Sequence, residues 1–206
     1  MSRLRAETRA QHEATEAIPF STAIIGGVLP RASYAAQLAA LLPVHRALET
    51  AIASRLHPSY ETVWSDDMLR IPLLEADLDE LGVTEDEARM ARPEATEMAL
   101  WIESLAARDP VAILGVLYVL EGSTLGGAVL RRHLASAFGL TDAGLRYYSP
   151  YGIHPKPHWV AFSQRMDAAV TDADDGDRVV AAASETFVRI GRILSALPAP
   201  RAVEAG

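Results

Sequence analysis

Cysteine is absent from this chain of 206 residues. Its absence removes disulfides, zinc–thiolate sites and thiolate ligation of any other metal in one step. Basic charge is also short. The 19 Lys and Arg against 27 Asp and Glu leave a formal charge of −8, with a pI near 5.2, which speaks against nucleic acid or an anionic membrane as partner. No apolar run extends unbroken over the ~20 residues that a membrane span needs, because Glu121 interrupts the best candidate. The opening stretch MSRLRAETRAQHEATE has no apolar centre for a signal peptide, so a soluble cytoplasmic protein is expected. Strand-like alternation, internal repeats and low-complexity tracts are missing too, apart from the short acidic turn expected at 172–177. No Glu-x-x-His pair occurs, so a helical di-iron carboxylate site lacks its motif.

What remains is a chain 50% hydrophobic, enough for one core, and the pattern is helical throughout. A first helix is expected over residues 2–17 with Ser2 as its cap. A short one follows over 18–30, and a long one over 33–56 that Pro43 should kink. Residues 66–81 read as a helix interrupted at Pro72. Thr84 should cap 85–91, and further helices cover 94–107, 158–173 and 178–197. The expected class is therefore all-α, a single domain over 1–197, with a Pro/Ala-rich tail at 198–206 expected to be disordered.

The most informative stretch is 110–139, PVAILGVLYVLEGSTLGGAVLRRHLASAFG, with Asp109 placed to cap it. At 100° per residue Gly115, Gly122 and Gly126 share one narrow stripe, and Gly127 adjoins it. Each glycine costs about 1 kcal/mol against alanine in a helix interior, so the cluster needs a compensating gain. Either another helix packs closely there, or something flat lies against the backbone. A second stripe runs along the first helix: Arg5, Arg9, His12 and Glu16, at i, i+4, i+7 and i+11. Such a stripe is either a solvated face or one wall of a site.

The string Tyr118-Val119-Leu120-Glu121-Gly122-Ser123-Thr124-Leu125-Gly126-Gly127 resembles the distal-helix signature of bacterial heme oxygenases, in their bacteriophytochrome-linked and pathogen-type branch. Leu4-Arg5-x-x-Thr8-Arg9-x-x-His12-x-x-x-Glu16 resembles the same family's proximal helix. The tyrosine loop at 147–151, the Trp159-x-x-Phe162 pair and Phe187 extend the likeness over almost the whole chain. The resemblance implies a multi-helix fold holding heme b between a proximal and a kinked distal helix. It implies His12 as the axial iron ligand with Glu16 beside it, and Arg5, Arg9 and Tyr118 as propionate contacts. Val119, Gly127 and Phe187 are implied to line the heme, and Gly122, Ser123 and Gly126 to form the distal roof. His45, where many relatives have a tyrosine, is implied to join the distal polar network.

The implied reaction opens heme, at once cofactor and substrate, to biliverdin, carbon monoxide and iron. It uses dioxygen and electrons from a ferredoxin or a flavin reductase, since the sequence has no nucleotide or flavin motif; a bilin-accepting protein is an implied partner. Three positions depart from the mammalian-type pattern: Ser123 stands where that pattern has an aspartate, and Trp159 and Ser163 stand where it has basic propionate anchors. A heme carrier or sensor without turnover would share His12 and the glycines. A purely structural helical protein would leave the glycines unexplained.

Overall fold

Prolines, glycines and a few side-chain hydrogen bonds decide where each helix begins and ends. The computed structural model describes residues 1–200, and among these residues there are eleven α-helices and no strand. The first expected helix is two: α1 (Ser2–Glu7) and α2 (Arg9–Glu16), divided at Thr8, whose φ and ψ are −102° and 4°. Thr8 Oγ1 donates to the Leu4 carbonyl at 2.7 Å, a back-bond of the kind that bends helices. Ser2 lies inside the first turn rather than capping it. Helix α3 (Pro19–Ile25) stops at Gly26 and Gly27, the latter at φ 66°. Helix α4 (Arg31–Ala53) carries Pro43 in its interior. A short α5 (Ser59–Val63) and a 3-10 turn (Asp66–Met68) lead to α6 (Ile71–Leu81), where Pro72 sits in the first turn instead of interrupting a helix.

Thr84 and Glu87 form a reciprocal capping box on α7 (Glu85–Arg89), followed by α8 (Arg92–Arg108). A 3-10 turn (Pro110–Ala112) opens into α9 (Ile113–Phe138), which stays helical through all its glycines. Asp109 makes no cap bond there; its carboxylate accepts from Arg178 at 2.8 Å. Helix α10 spans Pro155–Ala169 and α11 spans Ala173–Ala196. The acidic stretch expected as a turn is the start of α11: Asp172 accepts from the Asp174 and Asp175 amides at 2.9 and 3.2 Å. Acidic residues in that first turn also suit the helix dipole. Of the expected tail, Pro198 is tied by Ser33 Oγ donating to its carbonyl at 2.5 Å, while 201–206 lie outside the described residues.

Helix α9 is the centre of the core, with Ile113, Leu114, Val116 and Leu117 at 2% exposure or less. Helices α3, α4, α10 and α11 pack around it, and α4 is backed by α6 and α8. Despite Glu121, the segment Pro110–Phe138 is long and apolar enough to cross a membrane by length and composition, its most apolar 18 residues reaching a mean hydropathy of 1.7. Its best window is 61% buried inside the protein, as a core helix would be. Glu121 is accommodated by an ion pair to Arg70 at 2.8 Å, both side chains nearly inaccessible.

The glycines divide into two kinds. A Cβ on Gly115 would stand 2.2 Å from the Val179 carbonyl oxygen of α11, and one on Gly127 2.7 Å from the Tyr148 carbonyl oxygen. These two are close backbone approaches. A Cβ on Gly126 would meet nothing within 4 Å, and one on Gly122 only the Trp159 ring at 3.4 Å. Gly115→Ala should therefore destabilise by about 1–3 kcal/mol through overpacking. Gly126→Ala should stabilise by up to about 1 kcal/mol through helix propensity. Thermal melts of the two variants, moving in opposite directions, check the division.

Candidate functional site

Helix α2 packs on α11 and α3, and both of these pack on α9. Near the start of α2 the buried Tyr118 hydroxyl reaches the Thr8 side chain, with the Arg5 guanidinium close by; beyond its far end, α3 packs on α9. Burial raises the Tyr118 pKa, and the Thr8 hydrogen bond and Arg5 moderate the rise. The two stripes read in the sequence sit on α2 and on α9, and α11 packs against both helices. The His12 side chain is 55% exposed, and Glu16 Oε2 lies 3.5 Å from its Nδ1. The His12 ring stands edge-on to Phe187 of α11, centroids 5.7 Å apart and planes at 82°. On α9, Ser123 and Gly126 are exposed and Gly122 half-buried.

An imidazole with a carboxylate on its Nδ1 side presents Nε2 as a ligand atom. Arg5 and Arg9 are both exposed; Arg9 has Glu13 at 3.7 Å. A flat, dianionic macrocycle with an open axial position fits these features: one available imidazole, a bare helix face and cations at one end. Gly127, turned toward Tyr148, and Val119, 7% exposed in the core, stand apart from the exposed face.

A family model described as heme oxygenase matches residues 1–196. The chain belongs to the heme oxygenase family. Family members degrade heme to biliverdin, and this chain is such an enzyme, with heme as cofactor and substrate. Its fold resembles heme oxygenase-1 of Synechocystis sp. PCC6803, solved in complex with heme, with a TM-score of 0.86 and 23% identity over 94% of this chain and 89% of that one. The heme oxygenase of Leptospira interrogans gives a TM-score of 0.87 at 20% identity, covering 95% and 98%. Heme oxygenase 2 of Chlamydomonas reinhardtii, solved without heme, gives 0.84 at 20% identity, covering 97% of each chain. A search of curated protein sequences finds no match.

Behind the distal face of this heme oxygenase lies a buried polar network that the sequence showed only in fragments. Ser123 Oγ donates to the Leu120 carbonyl at 2.7 Å and also faces the Tyr147 hydroxyl. Tyr147 OH lies 3.2 Å from His45 Nε2, with the rings edge-to-face. Asp77, fully buried, fixes Tyr147 by accepting its amide at 2.9 Å. Beside His45 a small cavity of about 10 Å³ is bordered by Glu49, Arg70 and Glu121. Arg70 donates to Glu121 at 2.8 Å and to the Tyr151 hydroxyl at 2.9 Å, and Tyr151 donates to Glu121 at 2.6 Å. Of these groups the sequence reading singled out His45, the tyrosine loop and Glu121 as a break in an apolar run. Arg70 and Asp77 gave no signal, because nothing local marks them.

Burial, reinforced by Arg70, pushes the His45 imidazole from its ordinary 6.5 down to about 3. The unfolded chain thus takes up a proton at a pH where the folded chain stays neutral. The resulting stability is fully present above about pH 6.5 and is lost as the pH falls toward 3, at about 1.4 kcal/mol per pH unit. Glu49 and Glu121, raised by burial, act in the opposite sense, in the acidic range between their ordinary and raised values. His45→Gln should remove the histidine contribution. Urea denaturation at about pH 7 and pH 5 should show the unsubstituted protein losing about 2 kcal/mol more than the variant.

Proposed function

We propose that this chain cleaves heme to biliverdin, carbon monoxide and ferrous iron, with dioxygen and electrons from a separate donor, a ferredoxin or a flavin reductase. The observation that carries the reading is the exposed His12 imidazole on α2, paired with a contact-free Gly126 on α9. When bound, heme supplies the redox iron and is itself the molecule oxidised. The chain's own part is to hold, orient and shield. His12 Nε2 secures the proximal side, with Glu16 steadying Nδ1 and Phe187 bordering the ring. Gly122 and Gly126 allow the backbone of α9 to lie close over the distal face. Arg5, with Arg9, and the Tyr118 hydroxyl would hold the two heme carboxylates, an orientation that would favour the α isomer of the product. Ser123, linked to Tyr147 and the neutral His45, offers the polar contact that an aspartate supplies in mammalian-type enzymes.

The serine after the first glycine and the Tyr-Val-x-Glu-Gly-Ser string support the bacteriophytochrome-linked or pathogen-type branch. A cytoplasmic enzyme passing its product to a bilin-accepting protein fits that branch.

His12→Ala should abolish both the histidine-ligated absorption spectrum and heme breakdown under reductant and oxygen, and added imidazole should restore both. Loss of the Soret band over time in the unsubstituted protein separates enzyme from carrier; a stable band under those conditions would leave the carrier. Gly126→Leu should keep the melting temperature within a few degrees while blocking turnover, since the added side chain enters open space rather than the core. Reduced stability with unchanged turnover per folded molecule would remove Gly126 from the site.

A further inference from the structure

Of the two glycines that α9 leaves open, Gly126 meets nothing and Gly122 meets a single group, the Trp159 indole of α10. The Cζ3 and Cη2 atoms, the far end of the six-membered ring, stand 3.4 Å from where a Gly122 Cβ would be. The indole is held on both sides. Its ring centroid is 5.4 Å from that of Phe162, which is fully buried one turn along α10, and 5.7 Å from that of Tyr118, at interplanar angles of 38° and 49°. Tyr118 is the residue whose hydroxyl reaches Thr8 beside Arg5. The indole edge therefore forms a corner with Gly122 and Tyr118, the residue that the reading above assigns to a heme carboxylate.

Two of the basic side chains on α10 are engaged elsewhere. Arg165 donates to the Val63 carbonyl at 2.9 Å. The His158 ring stacks on Tyr151 at 4.0 Å, with Nδ1 3.0 Å from Asp67. Lys156 is exposed in the first turn of α10, and Ser163 is half-buried.

We infer that Trp159 is a positioning residue that sets the in-plane rotation of the macrocycle, by presenting an apolar wall beside Gly122 where a charge would otherwise anchor a carboxylate. The inference rests on the heme oxygenase reading above. The rim of heme carries apolar methyl and vinyl groups over most of its circumference and two carboxylates on one side. Burying a carboxylate against an indole without a partner is unfavourable, whereas a methyl or vinyl group gains by the same contact. Arg5 and Tyr118 attract the carboxylates to their side of the corner, and Trp159 makes the neighbouring position unfavourable for them. Attraction and exclusion side by side select one rotation more sharply than either alone.

The test compares Trp159→Phe, Trp159→Ala and Trp159→Lys with the unsubstituted protein, each bound to ferric heme with cyanide. Proton NMR of the heme methyl groups reports the rotation directly, and chromatography of the extracted biliverdin isomers reports its consequence. Trp159→Phe should keep the original methyl pattern and isomer. Trp159→Lys, which adds a cation at the corner, should raise the second seating about ten-fold relative to the first, equivalent to about 1.4 kcal/mol. Trp159→Ala should give a mixture. A circular dichroism spectrum matching the unsubstituted protein's confirms that each variant is folded, and Trp159→Phe serves as the conservative rescue. An unchanged methyl pattern in both the Ala and the Lys variants would overturn the role of Trp159. Failure of the unsubstituted protein to form a Soret-absorbing complex would overturn the underlying reading as well.

Discussion

Close backbone contact on two sides of α9 is the constraint on which the rest of the structure depends. At Gly115 the helix lies against the backbone of α11, and at Gly127 against the carbonyl of Tyr148. Neither approach is possible with a side chain present, so the helix is fixed both in distance and in rotation about its axis. Once rotation is fixed, Gly122 faces the Trp159 ring of α10 and Gly126 faces open space. The glycines together cost about 1 kcal/mol each in helix propensity. The apolar half of the same helix offsets this, since fully burying a Leu, Ile or Val is worth about 1.5–3 kcal/mol, and Ile113, Leu114, Val116 and Leu117 are all buried.

Rotation at the critical turn is fixed a second time, by charge. Glu121 immediately precedes Gly122, and its two oxygens are taken by Arg70 and Tyr151. Arg70 in turn donates from Nη1 to the Asp67 and Leu69 carbonyls, while its amide and that of Ile71 bond to Glu49. Burying such a pair is costly in desolvation, and it is tolerable only when every remaining donor and acceptor is met. Here both Nη atoms of Arg70 and both oxygens of Glu121 are met, and Glu49 holds the Arg70 and Ile71 amides, so the pair helps to specify one arrangement of α4, α6, α9 and the tyrosine loop. A Met or Leu pair of similar volume would fill the space without dictating which way Gly122 faces.

The parts of this arrangement that the sequence revealed are those set by local spacing. His12 and Glu16 share a face because they are one turn apart, and the glycine stripe follows from 100° per residue. Thr84 announces itself as a cap at the same range. What the sequence hid depends on distant partners. Whether a glycine serves packing or a ligand depends on what lies across from it, and Gly115 meets Val179 while Gly126 meets nothing. The pairing of His45 with Tyr147 joins positions 102 residues apart. The break at Thr8 was hidden for another reason: a threonine hydroxyl can bond to the carbonyl four residues back or to solvent, and periodicity is the same either way.

The two walls of the cleft differ in how firmly they are built. Helix α9 is 26 residues long and buried along much of its length, whereas α1 and α2 have six and eight residues and α2 has no buried residue at all. Helices that short do not persist alone in water. The proximal wall therefore owes its position to a few attachments: the Thr8–Tyr118 contact, Leu4 in the core and the packing of α2 on α11. A ligand bonded to His12 and lying against Gly126 would bridge the weak wall to the strong one. By linkage it would stabilise the folded chain in proportion to the logarithm of its concentration over its dissociation constant. The exposed stripe on α2 and the bare stripe on α9 thus complement one another energetically as well as in shape: on the proposed reading, α2 would carry the groups that bind, and α9 the rigid surface against which binding would order them.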